Sequence, residues 1–216
     1  MSEALEEQQQ VENIMRMWRD NRKWIINMII ACIIVYFGIS YYKHHKEVRL
    51  SKASEEYVNL MNAVSRDDSE LAQIKSASMI EKYNYTVYGA FARLVSAKLA
   101  VDAGDWEKAK QQYTLVIKER ENTEIAALAR LRLGKLMFLS MGDAKGALQI
   151  LSKYEDGYQQ LFSELKGDIY ISLGEYELAK SSYIDATKVD SKQISPFLTV
   201  KLMNLGHKDS NNKELK

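Results

Sequence analysis

Cysteine and proline are nearly absent from this chain of 216 residues, which contains one of each. A single cysteine excludes an intrachain disulfide and a thiolate-rich zinc site, so cysteine usage does not indicate the compartment. With one proline and only ten glycines, long helices are hardly interrupted and β-turn signals are sparse. The composition therefore favours an all-α fold.

A large excess of charge of one sign is also lacking. The net charge is +1, with 27% charged and 46% hydrophobic residues. This balance argues against a nucleic-acid-binding protein, and the apolar content argues against a disordered chain. The length predicts one domain, or one domain with an appendage, that can bury a core.

The longest apolar run without a charge covers residues 24–42, with the sequence WIINMIIACIIVYFGISYY. As a helix it would extend ~28 Å, close to the hydrocarbon thickness of a bilayer. Basic residues flank it on both sides, and aromatic residues stand at both of its ends, where amphipathic rings favour the membrane interface. We predict a single transmembrane helix at 24–42, in contact with the lipid bilayer, after a short segment at 1–23.

Two alternatives to a membrane anchor are less favoured. A cleaved signal peptide would carry a small-residue cleavage site, whereas no Ala-x-Ala pattern follows this run. Residues 29–32, IIAC, resemble a bacterial lipoprotein box, but apolar residues continue past the cysteine. We therefore expect Cys32 to be a buried thiol that packs as a small hydrophobic side chain. Four basic residues lie on each side of the run, so the charge rule leaves the orientation open.

The segment at 2–20 is predicted to be helical and amphipathic. Val11, Ile14, Met15 and Trp18 follow helical spacing and form one apolar stripe. The stripe fits a helix that lies on the membrane surface or docks on a partner, and it equally fits a frayed arm that continues the membrane helix.

An internal repeat is the clearest feature of the remaining chain. The segment 104–113, GDWEKAKQQY, matches the segment 174–183, GEYELAKSSY, at five of ten positions. A shorter copy, GDAKGAL, occupies residues 142–148, so the spacings are 38 and 32 residues. A period near 34 with paired helices is the signature of tetratricopeptide repeats. We predict a tetratricopeptide-like α-solenoid of antiparallel helix pairs at 43–206, followed by a disordered tail at 207–216.

Each copy contains the same series of local signals. Gly104, Gly142 and Gly174 are predicted to end the first helix of each pair in the left-handed conformation, and the acidic residue that follows is predicted to cap the second helix. The small residues expected at the closest helix crossing, and the larger ones that fill the gap one turn later, are Ala109, Ala147, Ala179, Tyr113, Leu151 and Tyr183.

The copies also depart from the consensus. The first copy has Ala97 where glycine is expected. In the second, Gly134 precedes Gly142 by one residue more than the motif requires, and its register stays open. Upstream of these copies, a divergent first pair of helices is predicted at residues 52–64 and 71–83. At the other end, Pro196 is predicted to begin a terminal capping helix.

A solenoid of this kind leaves a concave groove along the first helices of its repeats, where extended peptides or partner helices bind. No phosphate-binding loop, catalytic motif or metal-spaced cluster occurs, so we predict no catalytic residue, no metal and no cofactor. By consensus position, the predicted groove residues are Phe91, Leu94, Lys98, Arg132, Leu136, Glu164, Asp168 and Ile171.

The order of these features resembles the YfgM family of ancillary subunits of the bacterial SecYEG translocon. Local similarities are the stretches QVE at 10–12, YGA at 88–90 and LRL at 131–133. The resemblance implies an inner-membrane anchor with a cytoplasmic N-terminus and a periplasmic repeat domain. It also implies association with the translocon and with a membrane-anchored periplasmic prolyl isomerase, contact with newly exported or unfolded polypeptides, and no enzymatic activity.

The leading hypothesis is thus a translocon-associated periplasmic interaction protein that helps to pass exported polypeptides to chaperones. The first alternative is an envelope scaffold that binds folded partners in assembly or division. A second alternative is an adaptor of reversed topology whose repeats face the cytosol.

Overall fold

The computed structural model describes residues 2–153, 158–188 and 196–214. These ranges contain α-helices and no strand, which confirms the all-α prediction. The helices of the described ranges are α1 (Ser2–Ser65), α2 (Ser69–Tyr83), α3 (Val87–Asp102), α4 (Trp106–Glu119), α5 (Glu124–Leu139), α6 (Ala144–Ile150), α7 (Gln159–Ser172), α8 (Tyr176–Lys188) and α9 (Pro196–Glu214).

The chain divides into two compact units, Met1–Lys52 and Ala53–Lys216. The first unit is a single run of α1, and from Ile26 onwards its side chains are exposed. Among the described helices, α1 is the one that is long and apolar enough, by length and composition, to cross a membrane. An exposed apolar helix of this length fits the predicted transmembrane segment.

Two side-chain predictions in the first unit have different outcomes. Cys32 is exposed, so the prediction of a buried thiol is wrong: a lone helix has no neighbouring element in its unit to cover that thiol. The predicted N-terminal arm is helical from Ser2, with Met15 and Trp18 exposed, while the side chains of Val11 and Ile14 lie outside the described residues.

In the second unit, polar side chains begin five consecutive helices. The side chain of Asp68, Thr86, Asp105, Thr123 or Asp143 accepts a hydrogen bond from the backbone N–H three residues later. Each bond satisfies one of the N–H groups that a helix start leaves without a partner. Short polar linkers therefore fix where α2 to α6 begin.

The repeat glycines end the first helix of each pair as predicted. Gly104, Gly142 and Gly174 have φ angles of 76°, 68° and 77°, a region that side chains with a Cβ rarely adopt. In the first repeat the backbone N–H of Asp105 returns to the carbonyl of Ala100 at 2.8 Å, which closes a Schellman-type turn.

The extra residue of the middle repeat lies in its turn. There the N–H of Asp143 reaches back six residues to the carbonyl of Met137 at 2.8 Å, rather than five as in the first repeat. Gly134 faces Leu151, just as Gly167 faces Tyr183 in the third repeat. The sequence left the register of the middle repeat open. The structure sets it by Gly134, which takes the place on α5 that Gly167 has in the third repeat.

The core of the second unit follows the repeat positions. Ala109, Ala147 and Ala179 are fully buried, and the larger residues one turn later are also buried: Tyr113, Leu151 and Tyr183. Apolar side chains between α1 residues 53–65, α2 and α3 form one cluster, those of α3 to α7 form the central cluster, and those of α8 and α9 form the last. The helix that begins at Pro196 packs against α8 and closes the last cluster, as a capping helix does.

The C-terminal end differs from the prediction. Residues 207–214 continue α9 where a disordered tail was expected. The stretch HKDSNNKE contains neither proline nor glycine, so nothing in it breaks a helix that has already started.

Candidate functional site

The structure divides the predicted groove residues between two places in the second unit. Phe91, Leu94, Lys98 and Arg132 line one concavity, which we call the N-terminal concavity. It lies between residues 53–65 of α1, the start of α2, and helices α3 and α5. Near the other end of the solenoid are Glu164, Asp168 and Ile171, all on α7.

Leu136 departs from the predicted groove. Its side chain is 4% exposed and belongs to the central core cluster. Leu136 lies two residues after Gly134, as Ile169 lies two residues after Gly167, and Ile169 is buried too. The extra residue in the turn of the middle repeat shifts the consensus positions on α5, so Leu136 takes the buried place that Ile169 has in the third repeat.

The N-terminal concavity has a volume of about 450 Å³, within the range of pockets that hold ligand side chains. The sequence prediction missed most of its other lining residues, among them Tyr57 and Met61 on α1 and Leu128 on α5. Tyr57 and Met61 belong to the divergent first pair, which has no repeat glycine from which to count. The helical spacing of Tyr57 and Met61 was the one feature of the sequence that could have placed them on the same face as the predicted groove residues.

Aromatic rings form one wall of this concavity. The ring of Tyr57 lies 5.6 Å from that of Phe91 and 5.7 Å from that of Tyr88, centroid to centroid. The rings of Tyr88 and Phe91 meet edge to face at 6.3 Å. Such arrangements stabilise beyond simple burial, so the wall is a packed surface rather than a set of loose side chains.

The cations near the groove differ in their partners. Arg93 forms two hydrogen bonds of 3.1 Å with Glu119, and Lys98 pairs with Asp102 at 2.5 Å. Arg132 instead makes no ion pair with a carboxylate of the described residues.

Arg132 also acts on two tyrosines electrostatically. Burial raises the pKa of Tyr113, and the charge of Arg132 opposes that rise. Burial likewise raises the pKa of Tyr57, again opposed by the Arg132 charge. Both pKa values end above the ordinary value, so both phenols are neutral at physiological pH.

At the other end of the solenoid, a lysine of the same chain pairs with the two carboxylates that were predicted for the groove. Lys201 of α9 donates to Glu164 at 2.8 Å and lies 2.7 Å from Asp168, and its ammonium is 5.6 Å from the centre of the Tyr183 ring. The Tyr183 hydroxyl donates to Asp168 at 2.7 Å. A second concavity of about 430 Å³ beside this cluster is lined by Ile171, Tyr183 and Lys201, among others.

The pKa directions follow from these contacts. Burial lowers the pKa of Lys201, but hydrogen bonds and charges of Asp168 and Glu164 outweigh it, so the net pKa is raised. Burial raises the pKa of Tyr183, and the hydrogen bond to Asp168 raises it further. The ammonium of Lys201 and the phenol of Tyr183 therefore both keep their protons at neutral pH.

The residues that the structure describes contain no group of three or more His, Cys, Asp or Glu side chains that could hold a metal ion. The features that the solenoid offers to another molecule are an aromatic wall, an arginine without a carboxylate, and a concave surface.

These features are those of a protein-interaction solenoid, and comparison with known proteins agrees. Residues 16–207 match the model of the tetratricopeptide repeat-like domain, so the chain belongs to this family. The solved structure of PilF from Pseudomonas aeruginosa is similar in fold, with a TM-score of 0.62 and 14% identity over 76% of this chain and 71% of that one.

Curated relatives are similar to the chain over almost its full length. An ancillary SecYEG translocon subunit of Haemophilus influenzae is 27% identical over 95% of this chain and 100% of its own length. A protein of the same description from Aggregatibacter actinomycetemcomitans is 28% identical, again over 95% and 100%. The resemblance to the YfgM family that the sequence indicated is thereby confirmed.

Proposed function

We propose that this chain is a non-catalytic, membrane-anchored interaction protein associated with the Sec translocon. The observation that carries the proposal is similarity over the whole length of proteins described as ancillary SecYEG translocon subunits, including the apolar N-terminal helix. A similarity confined to the repeats would support the fold alone. Here it extends over the anchor and the solenoid together.

The proposed orientation places residues 1–23 in the cytoplasm, the helix at 24–42 in the inner membrane and the repeats in the periplasm. In this arrangement the groove meets polypeptides as they leave the translocon, together with a membrane-anchored prolyl isomerase, and helps to pass them to chaperones. Confinement beside the exit raises the effective concentration of groove and client, so weak contacts are sufficient.

The groove proposed for these contacts comprises the residues predicted from the sequence, with the corrections that the structure supplies. Phe91, Lys98 and Arg132 remain proposed binding residues at its N-terminal end. Tyr57 joins them because its ring forms the aromatic wall with Phe91. Leu94 lines the concavity but is 4% exposed and belongs to the central core cluster, so it is proposed only to support this surface from below.

At the C-terminal end, Glu164, Asp168 and Ile171 stay in the proposal only as minor contacts, because Lys201 of α9 already pairs with both carboxylates. Leu136 is withdrawn since it is buried.

Co-purification tests the central part of the proposal. The full-length chain, with a C-terminal affinity tag and expressed at native level, is extracted in mild detergent and the eluate is assayed for the translocon channel subunits. We expect recovery of these subunits, and none with an equally tagged single-span protein of unrelated sequence. An eluate without translocon subunits, at equal yield of the tagged chain, would contradict the proposal.

Reporter fusions test the orientation separately. Alkaline phosphatase fused after residue 216 is active in the periplasm, whereas a fluorescent protein exported by this route is dark. We expect an active phosphatase fusion and a dark fluorescent fusion. The opposite pair of results would support the adaptor of reversed topology.

A further inference from the structure

We infer that the N-terminal concavity binds an acidic side chain flanked by apolar residues within an extended polypeptide, and that Arg132 is the partner of its carboxylate. The inference rests on the proposed function, since it names the ligand class for the same groove.

Arg132 differs from three other cations of the second unit in its charge partners. Arg93 pairs with Glu119, Lys98 pairs with Asp102, and Lys201 of the capping helix pairs with Glu164 and Asp168. Arg132 has no carboxylate partner among the described residues, although its guanidinium lines the concavity. A guanidinium offers a planar fork of donors that matches a carboxylate, and such charge-assisted bonds are stronger than neutral ones.

The surroundings of Arg132 are fixed before any ligand binds. The charge of Arg132 acts on the phenol of Tyr113, whose side chain is 4% exposed and held in the core by the repeat packing. The rings of Tyr57 and Phe91 also pack on each other in the same concavity. A site that is already ordered loses less conformational freedom when a ligand binds.

Apolar and aromatic side chains line the concavity together with Arg132. The concavity presents the rings of Tyr57 and Phe91 and the aliphatic side chains of Leu94 and Leu128, with Met61 at 37% exposure beside them. Unbranched Met side chains adapt to different apolar shapes. Residues on either side of the ligand's carboxylate are thus expected to be apolar and variable in shape.

The remaining charges limit the ligand to isolated carboxylates. Asp67, Asp68 and Asp102 also line the concavity. Asp68 caps α2 and Asp102 pairs with Lys98, but their negative field stays nearby and opposes a polyanion. A ligand with a single acidic side chain between apolar residues can reach Arg132 and brings no second negative charge close to these aspartates.

Paired peptide libraries test this inference with the full-length chain in lipid nanodiscs. Both libraries are capped at each end and follow the pattern X-X-Z-Glu-Z-X-X or X-X-Z-Gln-Z-X-X, where Z is Leu, Phe, Met or Val and X is Ser, Gly or Ala. A third library keeps Gln and has a free C-terminal carboxylate. Bound peptides are quantified by mass spectrometry on the wild type, Arg132→Met, Arg132→Lys and the control Lys118→Met, which removes a charge from the exposed surface of α4.

The wild type is expected to bind the Glu library about tenfold more tightly than the capped Gln library, as one charge-assisted hydrogen-bonded contact provides. Arg132→Met is expected to abolish the difference, Arg132→Lys to keep part of it, and Lys118→Met to keep all of it. Helical circular dichroism equal to that of the wild type shows that each variant is folded.

Several results would overturn the inference: no binding of the Glu library to the wild type, equal binding of the Glu and Gln libraries, or a preference that survives Arg132→Met. Tighter binding of the free-carboxylate library than of the Glu library would assign the site to chain termini instead. Failure of the proposed function is distinguishable, because translocon subunits would then be missing from the co-purification whether or not the libraries discriminate.

Discussion

The two ends of the proposed groove differ in what neutralises their charges. At the C-terminal end, α9 brings Lys201 between Glu164 and Asp168, so the chain satisfies those carboxylates itself. At the N-terminal end, the charge of Arg132 acts on the Tyr113 phenol, and Arg132 has no carboxylate partner among the described residues. The capping helix thus both ends the solenoid and neutralises the carboxylates proposed for the last part of the groove, whereas Arg132 at the first part has no such partner among the described residues.

The two ends also differ in how closely they follow the repeat consensus. In the third repeat a Cβ placed on Gly167 would lie 2.2 Å from the Tyr183 ring, so the ring packs directly on the backbone. The first repeat has Ala97 at the equivalent position, sixteen residues before Tyr113, and that alanine is buried without difficulty. The third repeat is therefore the more tightly constrained.

The largest expected effect comes from a substitution that tests this difference in packing. Gly167→Ala is expected to destabilise the fold by ~3 kcal/mol, because the added methyl group overlaps the Tyr183 ring in a packed core. Urea unfolding of the full chain in detergent, followed by circular dichroism, measures it. The matched change Ala97→Gly is expected to cost only ~1 kcal/mol. Equal costs for the two variants would mean that the repeats pack alike.

The next effect separates the charges at the two ends. Lys201→Met leaves Glu164 and Asp168 without their cation and is expected to cost ~1–2 kcal/mol, since the three side chains are only partly exposed. The same unfolding assay measures it. A variant that also carries Glu164→Gln and Asp168→Asn should recover part of the loss, and no recovery would show that Lys201 acts by packing alone.

A smaller loss is expected at the open end. Arg132→Met removes an exposed charge that acts on Tyr113 but breaks no ion pair, so we expect a cost of ~0.5–1 kcal/mol. If Arg132→Met destabilised the fold more than Lys201→Met, the guanidinium would be a structural element of the repeats and the contrast between the two ends would be lost.

The smallest effect is a pH dependence confined to alkaline solution. The folded-state pKa of Lys201 is raised, so its stabilising contribution is complete below the unfolded pKa of about 10.4 and is lost as pH rises through the folded value. Tyr183 shifts in the same direction. Unfolding measured between about pH 9 and 12 should show stability falling less steeply in Lys201→Met than in the wild type, with Tyr183→Phe as the second control. Parallel slopes would contradict the proposed ion-pair cluster.

Local features were predictable from the sequence because they depend on neighbours along the chain. The left-handed glycines need only their own backbone, and Asp105 or Asp143 needs only the N–H groups of the next turn. Buried alanines at Ala109 and Ala179 follow from the repeat period. These features determine the helices and their pairing.

Features that depend on distant residues were not predictable in the same way. The position of the extra residue of the middle repeat required the contact between Gly134 and Leu151, and with it the burial of Leu136 became evident. Tyr57 belongs to a helix pair without consensus residues. The contact of Lys201 with Asp168 joins residues 33 positions apart, and no local pattern indicates it.

Site-specific photo-crosslinking tests the contrast between the two ends most directly. A benzophenone amino acid replaces Met61, which lines the N-terminal concavity, or Asn204, which lines the second concavity, and both positions are exposed. Inner-membrane vesicles are then supplied with a radiolabelled secretory polypeptide arrested during export. The account predicts crosslinks to that polypeptide from position 61 and few or none from position 204. Crosslinks from position 204 alone would contradict it.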